Sequence, residues 1–247
     1  MRANKRALIR LLIAHGARMD RIDQLCAEAA SRGIPLQFCD KQTLSSALAD
    51  AAHQGIAAIA DSLPAWDMEQ LLGDSPTSGF SLILVLDNIT DPVNFGAILR
   101  TAEAAGVTGV ILPDRRSAPL SPAAIKAASG AAEHIPIVRV TNIKRALDDL
   151  RAAGYWCYGL AAEATATIYS NNFSAKTALV LGSEGQGLRH SVRNYLDDIL
   201  SIPLVGRVSS LNVSNAAAVA IFEVIRQVRL KSSGAMHFPV DTRQPPP

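Results

Sequence analysis

The chain is poor in aromatic residues, which fill 5% of its 247 positions, and poor in cysteine, with three. Cys26, Cys39 and Cys157 are scattered, odd in number and never arranged as C-x-x-C, which argues against a zinc site and for a reduced compartment. No apolar run approaches the ~18 residues that a membrane-spanning helix needs, so no membrane partner is expected. The first twenty residues are basic and amphipathic, but Asp20 follows soon and no small-residue cleavage pattern is clear. A cytoplasmic protein is therefore expected. Net charge is only +2, too small to announce nucleic-acid binding by itself, and there is no internal repeat.

What the chain does have is apolar content: 49% hydrophobic against 19% charged residues, much of it alanine, which rules out a disordered chain. At this length about 72% of the unfolded surface can be buried, so a core forms without metal or disulfide. Charge is unevenly placed. Residues 1–32 hold seven Lys/Arg and three Asp/Glu, for +4, whereas residues 33–80 hold one Lys and six Asp/Glu, for −5. A basic opening segment can meet phosphates, although a solvated helix face is the ordinary reading of charge alone.

The periodicity predicts helices over 3–15 and 20–32, a strand over 34–38, a helix over 43–52 and a strand over 55–60. This small α/β unit (1–74) ends at a turn-rich linker, Gly73 to Gly79, which places the domain boundary at 75–80. From 81 to 230, near-continuous apolar strands alternate with helices, the pattern of a parallel sheet covered on both faces. Residues 231–247 end in three prolines and are expected to form a disordered tail.

Ligands of open α/β sheets bind where strands end, and three such places stand out. In the first, Asp87 to Ala102, Asn94 is placed to cap a helix whose Phe95, Ile98, Leu99 and Ala102 face the core. Arg100 lies off that stripe, which in an ordinary helix makes it a solvated arginine. In the second, Leu181 leads into Gly182-Ser-Glu184-Gly185-Gln-Gly187. This is neither the dinucleotide glycine pattern nor a Walker loop, but its glycines and the following helix start suit a nucleotide-like ligand. Glu184 is either a turn carboxylate or a group that orients a substrate. In the third, Ser201-Ile202-Pro leads to Ser210-Leu211-Asn212-Val-Ser. Its polar residues read as caps of a last helix that is apolar nearly all round at its start, Ala216 to Phe222, and so packs on more than one side.

Together, N-x-G-x-x-x-R-T-A, L-G-S-E-G-x-G-L and I-P-L-x-G-x-V-S-S-L-N-V-S, in this order, resemble the SpoU (TrmH-like) branch of the SPOUT methyltransferases. The segments His53-Gln54-Gly55-Ile56, Arg116-Ser117-Ala118, Gly130 to Glu133 and Val140-Thr-Asn142 add to the likeness, which spans about residues 3–230. The resemblance implies an α/β catalytic domain with a deep trefoil knot, preceded by an L30e-like substrate-binding domain. The family usually carries a further strand and helix before the Asn4-Lys5-Arg6 region, so that domain is expected to lack its first element. The resemblance also implies S-adenosyl-L-methionine as methyl donor, no metal, and a ribose 2′-hydroxyl of RNA as acceptor, with a guanosine of 23S rRNA favoured. The alternatives are a tRNA guanosine and an inactive RNA-binding relative. The family's motif residues fall on Asn94, Arg100, Glu184, Ser210 and Asn212 for catalysis, and on Leu181, Gly182, Ile202 and Leu211 for the donor. Because an arginine is effectively always protonated, Arg100 is expected to hold phosphate and stabilise a developing alkoxide rather than act as a base. A homodimer through the C-terminal domain is expected from the apolar start of the last helix.

Overall fold

The computed structural model describes residues 6–17, 19–48, 53–73 and 79–233. The linker residues 74–78 and the tail from 234 onward lie outside the described residues, as do residues 49–52 of the helix expected over 43–52.

The first element departs from the expected helix over 3–15. Leu8–Ala14 form a strand, β1, the centre of a three-stranded sheet of order β2-β1-β3. Strand β2 (Leu36–Cys39) runs parallel to β1, and β3 (Ile56–Ala60) runs antiparallel to it. The reason lies in Leu11, Leu12, Ile13 and Ala14, all of them buried. A central strand covered on both faces is apolar without alternation, and over a short run that cannot be told from a helix stripe. Helix α1 (Met19–Ser31) follows as expected. Helix α2 (Lys41–Ala47) starts earlier than read, because Asp40 caps it: the Thr43 amide donates to Asp40 Oδ1 at 2.7 Å. The same hydrogen bonds hold the Asp40 carboxyl below the usual range.

Residues 63–73 join the two sheets. Trp66 pairs in parallel with Val138, and helix α3 (Met68–Gly73), absent from the sequence reading, inserts a fully buried Leu71 beneath the second sheet.

That second sheet has seven strands, every pair parallel, in the order β6-β5-β4-β9-β7-β10-β8. Along the chain these are β4 (Ser81–Leu86), β5 (Gly109–Pro113), β6 (Ile137–Val140), β7 (Trp156–Leu160), β8 (Ala166–Thr167), β9 (Lys176–Leu181) and β10 (Asp198–Ser201). The alternation read from residue 81 onward is thus borne out, with the two-residue β8 and a 3-10 turn at Ala131–Glu133 added. Leu82, Leu84 and Leu86 point toward α4 (Pro92–Ala105), α5 (Pro122–Ala128) and α8 (Val213–Ser233). Ile83 and Val85 point the other way, toward α6 (Ile143–Ala152), α7 (His190–Arg193) and Leu71. Phe95, Ile98, Leu99 and Ala102 are all fully buried, as their spacing requires. Ala217, Ala220 and Ile221 of α8 are also fully buried, but within this chain's own core. Of the apolar start of that helix, Phe222 is the large side chain that faces outward, 52% exposed. Among the described residues no helix is long and apolar enough to cross a membrane.

Candidate active site

Strand β4 is followed in sequence by its neighbour β5, yet its other neighbour is β9, so strand order changes direction beside β4. Such a reversal opens a crevice at the carboxyl ends of the strands. Here a cleft of about 610 Å³ lies past the ends of β7, β9 and β10. Leu181, Gly182, Ile202 and Leu211, the four expected donor-contact residues, all line it, as do Glu184, Ser210 and Asn212. Leu181 and Gly182 are buried, and Ile202 and Leu211 are half-buried.

The glycine loop has a structural requirement of its own. Ser183 and Gly187 exchange backbone hydrogen bonds at 3.1 and 2.9 Å, which folds the loop back on itself. A Cβ on Gly182 would come within 2.1 Å of the Gly187 carbonyl carbon, so no other residue fits there unless the loop moves. Gly185 and Gly187 have φ of +83° and +62°, which glycine adopts without strain.

Three of the expected catalytic residues meet in one network. The Asn94 side-chain amide donates to Glu184 Oε1 at 2.6 Å. The Asn212 amide donates both to Glu184 Oε1 and to Asn94 Oδ1, each at 3.0 Å. Asn212 Oδ1 in turn accepts from the Ser214 amide at 2.9 Å, fixing the side chain at the start of α8. Asn94 is therefore not the helix cap expected from its position. Asp91 caps α4, with Oδ1 2.7 Å from the Asn94 amide nitrogen, which leaves the Asn94 side chain for Glu184. Ser210 is exposed at the cleft.

Arg100 stands apart from this network. Six residues beyond Asn94, it is about 9 Å further along the helix and about 120° around it. Its guanidinium is exposed and donates to Ser129 Oγ at 3.3 Å.

Two ion pairs at the same end of the sheet escaped the sequence reading. Asp87, fully buried at the end of β4, accepts from Arg189 Nε at 2.9 Å and Nη2 at 2.5 Å, tying β4 to the entry of α7. Glu163 pairs with Arg193 at the cleft rim, which holds the Glu163 carboxyl below its usual range. A charged residue closing an otherwise apolar strand was the available signal for Asp87; nothing local marks the other three. Burial pushes the Cys157 thiol up to about 12, so it is inert at neutral pH. Among the described residues no group of His, Cys, Asp and Glu is placed to hold a metal ion.

Comparison with known proteins locates this arrangement. The SpoU rRNA Methylase family model matches residues 81–222, and the model for RNA 2'-O ribose methyltransferase substrate binding matches residues 1–66. The chain is 44% identical to the 23S rRNA (guanosine-2'-O-)-methyltransferase RlmB of Haemophilus influenzae over 89% of this chain and 90% of that protein. It is 41% identical to RlmB of Xanthomonas campestris pv. campestris over 88% of each. Among solved structures, the AdoMet-bound rRNA methyltransferase from Sinorhizobium meliloti superposes with a TM-score of 0.73 at 25% identity, covering 90% of this chain and 81% of that one. The SpoU methyltransferase AviRb from Streptomyces viridochromogenes, in complex with AdoMet, also gives 0.73 at 25% identity, covering 92% and 85%.

Proposed function

The chain belongs to the SpoU rRNA methylase family, and from that premise we propose that it methylates the ribose 2′-hydroxyl of a guanosine in 23S rRNA. The observation that carries this reading is the cleft in which the glycine loop, the Ile202 strand end and the Leu211–Asn212 turn meet over one network.

The residues present suit S-adenosyl-L-methionine. Leu181, Ile202 and Leu211 offer apolar surface for an adenine, and the glycine loop offers backbone groups beside it. When bound, S-adenosyl-L-methionine supplies an electrophilic sulfonium methyl group, so the protein has only to align the hydroxyl and manage its proton and charge. The Asn94–Glu184–Asn212 network locks the three loops together and fixes the cleft's shape, with Ser210 at its open side. Arg100 is the group for the acceptor: it holds the backbone phosphate and stabilises charge developing on the ribose oxygen.

The finer reading extends the family likeness to a C-terminal trefoil knot, an L30e-like role for the first sheet, a homodimer and a cytoplasmic location. The homodimer is supported by Val93 and Phe222, exposed by 56% and 52% on the packed pair α4 and α8, and by Val205, which has no cover at all. It is also supported by the separation of Arg100 from the cleft network within one chain. A solution-scattering mass near that of a single chain would refute it.

The reading is tested by incubating the protein with radiolabelled donor and either 23S rRNA fragments or tRNA, then mapping the labelled nucleoside. Label on a 2′-O-methylguanosine of the 23S fragment is expected. Label on tRNA alone would reassign the substrate, and donor binding without transfer to either would make the protein an inactive relative.

A further inference from the structure

Asp87 is fully buried and does not line the cleft, so methyl transfer gives its carboxylate no direct task. Burying a carboxylate is costly even when it is paired, and an aliphatic side chain would end β4 without that cost. The aspartate instead holds the glycine loop from both sides. Its backbone amide donates to the Leu181 carbonyl at 2.8 Å, where the pairing of β4 with β9 ends and one residue before Gly182. Its side chain continues the alternation of Ile83 and Val85 and so points toward α7. There Oδ2 accepts from Arg189 Nε at 2.9 Å, and Oδ1 accepts from Arg189 Nη2 at 2.5 Å. Arg189 lies two residues past Gly187, so one residue grips the entry and the exit of the loop.

Between these anchors the loop is rich in glycine, whose ordering loses more backbone freedom than that of any other residue. Glu184, Gly185 and Gln186 are exposed, and the tip is tied down by the hydrogen bonds of Glu184 to Asn94 and Asn212. Leu188 is buried beside Gly159, where a Cβ would come within 2.6 Å of its Cδ1. That apolar contact fills space but sets no direction, whereas a guanidinium fork on a buried carboxylate fixes both distance and angle.

We propose that Asp87 is a positioning residue for S-adenosyl-L-methionine: acting through Leu181 and Arg189, it holds the glycine loop in the shape that receives the donor. The proposal rests on the reading of this cleft as the donor site and adds what keeps that site formed.

Asp87→Asn keeps the side chain's size and the backbone hydrogen bond to Leu181, and removes the charge that the fork pairs with. Calorimetric titration with S-adenosyl-L-methionine should give a Kd about tenfold higher, as when the binding-competent loop falls to about a tenth of the population. In steady-state methylation of the 23S fragment, the KM for the donor should rise by a similar factor, while kcat and the KM for RNA stay put. Amide hydrogen exchange should quicken at Ser183 and Gly187, which bond each other, and keep its wild-type rate in β5. A merely structural role would instead lower Tm and quicken exchange in both places, with the donor Kd unmoved. Arg189→Met strands the buried carboxylate and so tests the fold as much as the loop. The double variant Asp87→Asn/Arg189→Met avoids this, and a single clamp predicts that it binds donor as Asp87→Asn does. A further tenfold loss in the double variant, or wild-type Kd and exchange in Asp87→Asn, overturns the clamp while leaving the methylation reading intact. If the unaltered protein binds no donor, that reading fails, and the exchange comparison still decides whether Asp87 holds the loop.

Discussion

Asn94 and Glu184 are 90 positions apart in sequence, yet the amide of one donates to the carboxylate of the other at 2.6 Å. Asn212 joins the same oxygen from a third loop. One carboxylate oxygen thus holds the start of α4, the glycine loop and the start of α8 in register. Glu184→Ala removes the shared acceptor but little packing, because Glu184 is exposed. We expect Tm to change by no more than a few degrees while methyl transfer slows about 100-fold, the scale set by small misplacements of reacting groups. Single-turnover rates at saturating RNA, compared with melting curves, check this. A rate near wild type would leave the network a purely local tie.

Arg100 tests a different step. It sits outside the apolar stripe of α4 and is exposed, so Arg100→Ala should leave folding and donor affinity unchanged. If it stabilises charge that appears only in the transition state, transfer should slow by roughly 100- to 1,000-fold. Arg100→Lys should recover little, since a point-charge ammonium does not reproduce the planar fork. Calorimetric donor binding alongside single-turnover transfer separates these effects, and wild-type turnover in both variants would return Arg100 to an ordinary surface arginine.

Leu71 decides where the chain can be cut. It is fully buried against Ile83, Val85 and Ile111, so the catalytic sheet relies on a residue that precedes its first strand. A chain beginning at residue 63 keeps Trp66 and Leu71, and one beginning at residue 75 loses both. The shorter chain should melt measurably lower. Leu71→Ala in the full protein should cost about 2–5 kcal/mol, the usual range for a buried leucine. Equal melting temperatures for the two truncations would show that α3 contributes no stability to the sheet.

Glu223 predicts an acid-side effect. It is buried on α8, accepting from Arg226 Nε and Nη2 at 2.8 Å and from Gln227 Nε2 at 2.7 Å. The Arg226 hydrogen bonds hold its carboxyl below the usual range despite burial. A carboxylate with a lowered native pKa contributes stability above its unfolded value, near pH 4.5, and loses it as pH falls through the native value. Glu223→Gln should therefore melt a few degrees lower than wild type at pH 7, with the gap closing below about pH 4. Melting curves from pH 7 to 3 check this, and a gap independent of pH would mean the carboxylate charge is not what matters.

The outcomes for particular elements show what was legible. The strands and helices from residue 81 onward were readable because apolar runs bounded by glycine and asparagine signal a parallel sheet locally, and the burial of Phe95, Ile98 and Leu99 followed from spacing alone. Strand β1 reads as helix in the sequence because a run buried on both faces carries no period of two. Asn94 reads as a cap from its position, but Asp91, three residues earlier, takes that role, and only the approach of Glu184 gives the asparagine side chain another partner.

The sequence by itself determined the alternation of strands and helices, the loops that can bind a ligand, and the family whose motifs those loops carry. Each of these rests on neighbours within a few residues or on an ordered set of short patterns. The tertiary structure alone decided that β9 lies beside β4, that Glu184 joins Asn94 and Asn212, that Arg100 points to Ser129, and that Trp66 closes the sheet edge. Those contacts depend on the order of strands in the sheet and on which face each helix covers. That order is set by burial summed over the whole domain, so no short stretch of chain encodes it.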